Sequence, residues 1–326
     1  MTTVLIVTHS KDNQSIPLVL KAIAEQGGKA FRFDTDRFPT EIQLDVYYGK
    51  GIQRLILASA QGKLDLSDVS AVWYRRIGIG RRIPTTMNPQ LRQASVQESR
   101  TTIQGMIASL QAFHLDQLPH IRRAENKQLQ LQMARELGLD IPPTLITNNP
   151  QAVREFAKDC KEGLVTKMLS SFAIYEEGQQ KVVFTNPVTA EDLDNLDGLS
   201  FCPMTFQENI PKALELRTTI VGQRAFTAAI DSQTNEQARH DWRRQGIALL
   251  DAWQPYVLPL DVEEKLLELM ARFRLNYGAI DLILTPDGRY VFLEVNPVGE
   301  FFWLEQYPGL PISKAIADLL LGQLHK

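Results

Sequence analysis

Two apolar, β-branched runs flank a Pro-Asp-Gly turn in YGAIDLILTPDGRYVFLEVNPVGEFFW, residues Tyr277 to Trp303, and each run carries a carboxylate, Asp281 and Glu294. The pattern predicts a β-hairpin. Counted outward from an even loop centred on Asp287 and Gly288, Asp281 falls opposite Glu294, with Cβ atoms roughly 4.5 to 5.5 Å apart. Asn296, two residues beyond Glu294, points to the same face. Like charges at that spacing are unfavourable unless a proton or a cation lies between them. Three oxygen donors, two of them anionic, suit a hard divalent ion such as Mg2+ that keeps some waters and binds substrate phosphates. An exposed edge hairpin with solvated carboxylates is the alternative, and a three-residue loop would turn Glu294 away from Asp281.

Lys167 interrupts GLVTKML, a strand otherwise suited to burial. Alone it reads as a lysine that snorkels to the surface. Lys127 stands in the first turn of the preceding helix, where a cation opposes the helix dipole unless an anion is near. Two lysines so placed ahead of a carboxylate-rich hairpin suggest a polyphosphate, with ammonium groups on the phosphates and a metal bridging them to the carboxylates.

The elements that must position these groups can be followed along the chain. TVLIVTHS opens as an apolar strand, Thr3 to Thr8; a helix through Leu18 to Glu25 stops at Gly27-Gly28, and AFRFD is a second strand. This β-α-β start predicts a parallel sheet. DVSAVWYRRIG adds a strand, Asn88 to Leu115 reads as one long helix, and the first unit closes near residue 120. In ENKQLQLQMARELGLDIPPTLIT, Leu129, Met133 and Leu137 share a helical face that Gly138 terminates. Gly163 to Leu169 and Lys181 to Asn186 read as a pair of strands. Strands at Thr205 to Ile210, Leu216 to Val221 and Ala225 to Asp231 follow, then a helix from Val262 to Leu275, the hairpin, and a last helix from Pro311 to Leu321. Three units are expected, at 1–120, 121–203 and 204–326.

With 326 residues, 44% hydrophobic and 22% charged, the chain has the composition of an ordinary globular protein. A net charge of −3 gives no electrostatic case for nucleic acid. No apolar run is long enough to span a bilayer, and the N-terminus lacks the features of a signal peptide, so a cytoplasmic location is expected. Cys160 and Cys202 stand in no metal-ligand spacing and are expected as free, buried thiols.

Lys127 ahead of LGLDIPPT, Lys167 in its strand, FQENIPKALELR, the Asp-Trp-Arg of Asp241 to Arg243, and AIDLILTPDGRYVFLEVNP together resemble the ATP-grasp superfamily over about the last two-thirds of the chain. The resemblance implies an α/β class with α+β elements: a pre-grasp β-α-β domain, a small central domain and a C-terminal domain that binds ATP and Mg2+. It implies that Gln207, Glu208, Asn209 and Ile210 hold the adenine edge and Glu215 the ribose hydroxyls. Lys127, Lys167, Arg217 and Arg243 would contact phosphates, with Lys167, Arg217 and Arg243 as the catalytic set, and Asp281, Glu294 and Asn296 would hold Mg2+. One departure is the loop SSFAIYEEGQQ, Ser170 to Gln180, which has a single glycine where relatives carry a glycine-rich phosphate cover. Hydroxyls of Ser170 and Ser171, or backbone N–H groups, would have to substitute.

VWYRR at Val72 to Arg76, the same Asp-Trp-Arg, and NPVGEFFWLE at Asn296 to Glu305 are similar to the microviridin ligases, the ATP-grasp enzymes that cyclise a ribosomally made peptide through its side chains. The likeness, over nearly the whole length, is greatest to the ester-forming member. It implies activation of Asp or Glu carboxylates as acyl phosphates and ring closure by Thr or Ser hydroxyls. Amide formation, a small-molecule carboxylate-amine ligase, and a regulatory ATP-binding protein are the other readings. The implied partner is a precursor peptide with a helical leader; neither nucleic acid nor membrane is expected, and a homodimer is possible. TAEDLDNLDGLS, Thr189 to Ser200, would present Glu191, Asp192 and Asn195 to that leader, or be a solvated helix. Arg75 and Arg76 would steady peptide carboxylates or form a surface pair. His240 would shuttle a proton or order its loop, and Trp303 is expected in the core.

Overall fold

The computed structural model describes residues 2–169, 173–176, 179–182, 185–232 and 249–323. The first strand, β1 (Thr3–Thr8), is buried at all six positions, as an unbroken apolar run requires when a parallel strand is covered on both faces. Helix α1 (Ser15–Glu25) returns the chain to β2 (Lys29–Asp34), which pairs parallel to β1 in the expected β-α-β. A three-stranded antiparallel sheet of β3 (Gln43–Gly49), β4 (Ile52–Ser59) and β5 (Gly62–Asp65) then intervenes. It was not anticipated, although Gly49-Lys50-Gly51 marks its first turn, with Lys50 and Gly51 both at positive φ.

Strand β6 (Val69–Tyr74) rejoins β1, and helix α2 (Pro89–Ser109), strand β7 (Phe113–His114) and helix α3 (Leu118–Ala124) complete the unit. Asn88 caps α2 by accepting from the N–H groups of Gln90 and Leu91. The helix stops at Ser109, short of the expected Leu115, because the next residues are drawn into β7 at the edge of the parallel sheet, in the order β2-β1-β6-β7.

The central unit comprises α4 (Lys127–Glu136), β8 (Thr144–Thr147), α5 (Pro150–Asp159), β9 (Leu164–Lys167), β10 (Ala173–Glu176), β11 (Gln179–Val182), β12 (Asn186–Val188), α6 (Ala190–Asp194) and β13 (Met204–Glu208). Its antiparallel sheet has the order β12-β9-β13-β8. The expected pairing of Gly163–Leu169 with Lys181–Asn186 is corrected: Lys181 lies in a separate β10–β11 hairpin, and β9 pairs with β12 and β13. Because β13 hydrogen-bonds to β8 and β9, this sheet runs past the expected division at residue 203.

The last sheet, in the order β16-β15-β14-β17-β18, is antiparallel and built from β14 (Leu214–Val221), β15 (Arg224–Ile230), β16 (Gln254–Tyr256), β17 (Tyr277–Leu284) and β18 (Tyr290–Asn296). Helix α7 (Leu260–Phe273) covers one face together with α3 and α4, in a core of Ile121, Met133, Leu216, Leu266, Phe273 and Ile280. Helices α8 (Phe302–Gln306) and α9 (Ile312–Leu320) cover the other, where Tyr277, Trp303 and Ile316 meet Ile6, Ile16 and Trp73 of the first unit. Both faces are therefore sealed, and a charge on this sheet has to be matched. Cys160 is buried as expected, but Cys202 is exposed, since it follows a helical turn on the surface of the central unit.

Candidate active site

Asp281 does lie opposite Glu294, though by a different route from the sequence count. The turn holds three residues, Pro286 to Gly288, with Thr285 N–H bonded to the Arg289 carbonyl. Leu284 consequently pairs with Tyr290 and Leu282 with Phe292, one residue out of the expected register. A β-bulge at Leu293 then restores it. Phe292 and Glu294, two residues apart, would share a face on a regular strand. The extra residue sends Phe292 into the core and Glu294 to the face of Asp281.

Each carboxylate has its own cation. Arg217, which faces Asp281 across the β14–β17 ladder, donates from Nη1 to Asp281 Oδ1 at 2.7 Å. Lys127 Nζ lies 2.7 Å from Glu294 Oε2 and also donates to Asn296 Oδ1 at 3.3 Å and the Val295 carbonyl at 3.2 Å. Asn296 Nδ2 donates to Glu294 Oε1 at 3.0 Å. Burial acts to raise the Glu294 pKa, but the ammonium groups of Lys127 and Lys167 outweigh it and hold the carboxyl well below the usual range. The two lysines, 40 residues apart in sequence, thus converge on the one acid that sequence reasoning set opposite Asp281.

The residue that fixes Lys127 is Gln130, which sequence reasoning missed. It is 1% exposed and lies one helical turn after Lys127. Its side chain mimics a strand: Oε1 accepts from Val295 N–H at 3.0 Å and Nε2 donates to the Val295 carbonyl at 2.8 Å. The Asp140 carbonyl continues the pairing by accepting from Phe292 N–H at 2.7 Å. The free edge of β18 is thereby closed by α4 and its following loop. The signal available in QLQLQM was a glutamine on the apolar side of an amphipathic helix.

Beyond Asn296 the backbone carbonyls of residues 298 to 300 are all bonded by side chains. Arg75 Nη1 donates to the Val298 and Gly299 carbonyls, Tyr277 Oη donates to Gly299, and Arg217 Nη2 donates to Glu300. Arg75 also bonds the Glu300 carboxylate at 2.9 Å and is 1% exposed. Its burial corrects the alternative of a solvated surface pair: Arg75 ties the end of β6 to the loop after β18, and Arg76, which also bonds Glu300, is the more open of the two. Gly299 is required here, since a Cβ would come within 2.5 Å of Ala279 Cβ and 2.9 Å of Arg217 Nη2.

The residues expected to hold a nucleotide lie in the linker from β13 to β14 and around it. Gln207 is buried and donates to Thr144 Oγ1 at 2.8 Å. Glu208 accepts from Lys161 N–H, Asn209 N–H donates to the Gly163 carbonyl, and half-buried Ile210 follows. Glu215 accepts from Lys212 at 3.0 Å and Ser232 at 2.6 Å. His240, Asp241, Arg243, Ser170 and Ser171 lie outside the described residues. In the acidic segment only Ala190–Asp194 is α-helical, and Asp192 is used within it: its carboxylate accepts from Thr189 N–H and Oγ1 in a capping box. Glu191 and Asn195 remain exposed. Trp303 is in the core, as expected.

Among the described residues no group of three or more His, Cys, Asp or Glu gathers. A cation at Asp281, Glu294 and Asn296 would have oxygen donors only and would draw its remaining positions from water or phosphate. That set fits Mg2+ and not a metal that needs thiolate or imidazole. Basic groups from two units facing a carboxylate hairpin, behind a parallel pre-grasp sheet, define the class as an ATP-grasp ligase. Residues 3–122 match the MvdD pre-ATP grasp domain.

Comparison with solved structures narrows the class. The macrocyclase MdnC from Microcystis aeruginosa MRC, crystallised with precursor peptide MdnA, is 60% identical over 98% of this chain and 100% of that one, with a TM-score of 0.89. A Chryseobacterium gregarium RiPP-associated ATP-grasp ligase, in complex with ADP and a leader and core peptide, is 41% identical over 99% and 97%, with a TM-score of 0.94. MdnB from the same Microcystis strain is 41% identical over 98% and 99%, with a TM-score of 0.83. No curated protein matches. The chain belongs to the microviridin-type family of ATP-grasp peptide macrocyclases.

Proposed function

We propose that the chain uses ATP to activate Asp or Glu side chains of a ribosomal precursor peptide and closes ω-ester rings on them with Thr or Ser hydroxyls. The observation that carries this reading is the facing pair Asp281 and Glu294, with Asn296 beside them and Lys127, Lys167 and Arg217 supplying positive charge. A peptide carboxylate oxygen attacks the γ-phosphorus and ADP leaves; the hydroxyl then attacks the acyl carbon and phosphate leaves. Bound Mg2+ would neutralise charge on the phosphates. The chain itself positions the reactants: Lys127, Lys167 and Arg217 bind phosphate oxygens, and the linker from Gln207 to Ile210 with Glu215 seats adenosine. Arg243 completes the basic set. No enzyme nucleophile is needed.

The leader is read by the exposed acid Glu191 with Asn195, while Asp192 supports their helix. A cytoplasmic location, a homodimer and a three-unit organisation with the central unit extended to Glu208 belong to the same reading. Among the described residues no helix is long and apolar enough to cross a membrane. Incubation with MdnA, ATP and Mg2+, followed by mass spectrometry, tests it: each ring closed removes one water, and mild base restores it because esters hydrolyse far faster than amides. Rings that survive saponification would assign the amide chemistry, and an unchanged peptide mass would favour a small-molecule ligase.

A further inference from the structure

In the parallel sheet the chain runs from β1 outward to β2 and from β6 outward on the opposite side to β7, so the topological switch point lies between β1 and β6. Ligands of open parallel sheets bind in the crevice outside the carboxyl ends of the strands at that point. A cavity of about 410 Å³ lies there, between His9, which follows β1, and Tyr74 to Arg76 at the end of β6. Arg81, and Arg122 and Glu125 at the end of α3, form its other walls, with Val298. It borders the active site on two sides. Val298 is two residues after Asn296 and Glu125 two before Lys127, so each wall is within roughly 7 Å of chain from a residue that bonds Glu294.

The chemistry of the walls selects an anion. Arg75 and Arg76 are matched by Asp12 and Glu300. Arg81 and Arg122 make no ion pair among the described residues, and Glu125 is the cavity's own acid. Four guanidinium groups against three carboxylates leave one positive charge, which one carboxylate would balance. Guanidinium forks suit a carboxylate geometrically. His9 Nδ1, shielded from water and without a hydrogen-bond partner, adds a polar atom for a ligand to satisfy.

We propose that this cavity is a subsite for a second acidic side chain of the peptide, one not being activated, whose carboxylate Arg81 and Arg122 hold. The proposal rests on the peptide-ligase reading above. It makes the pre-grasp unit an anchor that sets which carboxylate of the core is presented to the phosphate, because one acid held here limits the reach of the next.

The test uses the full chain, MdnA and ATP, with R81Q, R122Q and the double variant, and MdnA variants in which core acids are changed singly to their amides. Both arginines are exposed, so the core is untouched. The double variant should raise KM for MdnA at least tenfold with a smaller change in kcat. One amide-substituted peptide should show the same rise on the parent enzyme and no further rise on the double variant. A KM within twofold of the parent, or losses that ignore the peptide's acids, would overturn the subsite. Calorimetry of MdnA binding reads it without turnover. A chain that fails to close rings sinks the function above, whereas equal affinity of parent and double variant sinks the subsite alone.

Discussion

Partial burial opposes the charge on Glu294, and two ammonium groups outweigh that effect. Its pKa in the folded chain is below the unfolded one, so its contribution to stability is present above the ordinary carboxylate range and is lost as pH falls through the depressed value. Carboxyl NMR should therefore find Glu294 ionised at pH 4, and Lys127→Ala should bring its titration upward. Glu294→Gln and Asp281→Asn should each lower ADP formation at least about a hundredfold while circular dichroism stays that of the parent, since each removes one anionic donor from the proposed cation site. Robust turnover by both variants would remove that site. Lys167→Ala should weaken ATP binding about tenfold or more, and unchanged affinity would return it to a snorkelling lysine. The types of these residues and their order were readable along the chain. The partner of each was not: Arg217 on Asp281 and Lys127 on Glu294 depend on strand register and on how α4 docks.

Among the elements, continuous apolar runs and Gly or Pro stops identified β1, β2, β6, α4, α7 and the terminal hairpin. The antiparallel β3–β5 sheet escaped because its exposed edge strand lacks a continuous apolar run. The end of α2 escaped because β7 is held by the sheet beside it and not by local propensity. In the hairpin, the facing acids were inferred from an even turn; the actual odd turn and the bulge at Leu293 cancel. Register is instead held at the far end of β18, by Gln130 and Asp140. Gln130→Leu takes the acceptor from the Val295 N–H and leaves the Val295 carbonyl to Lys127 alone, at about 1–3 kcal/mol for a buried group. The expected result is a lower melting temperature together with a raised KM for ATP, because Lys127 and Glu294 lose their common reference. A loss of stability with KM unchanged would make Gln130 a packing residue only.

At the level of the whole molecule, contacts such as Arg75 with Glu300 join residues 225 positions apart, and no local pattern could have revealed them; likeness to a known family supplied the roles that local reasoning could not. Arg75→Met should destabilise the chain by about 1–3 kcal/mol, since it takes the donor from the Val298 carbonyl and leaves the Glu300 carboxylate to Arg76 and Ser15, and thermal unfolding would show it. The segment from Val298 to Glu300 has one further consequence. It is a party wall, bonded by Arg75 on the pre-grasp side and by Arg217 and Tyr277 on the other. Whatever shifts it is felt by both neighbours. If peptide multiplies the affinity for nucleotide by some factor, nucleotide must multiply the affinity for peptide by the same one, and loosening the wall should draw that factor toward unity.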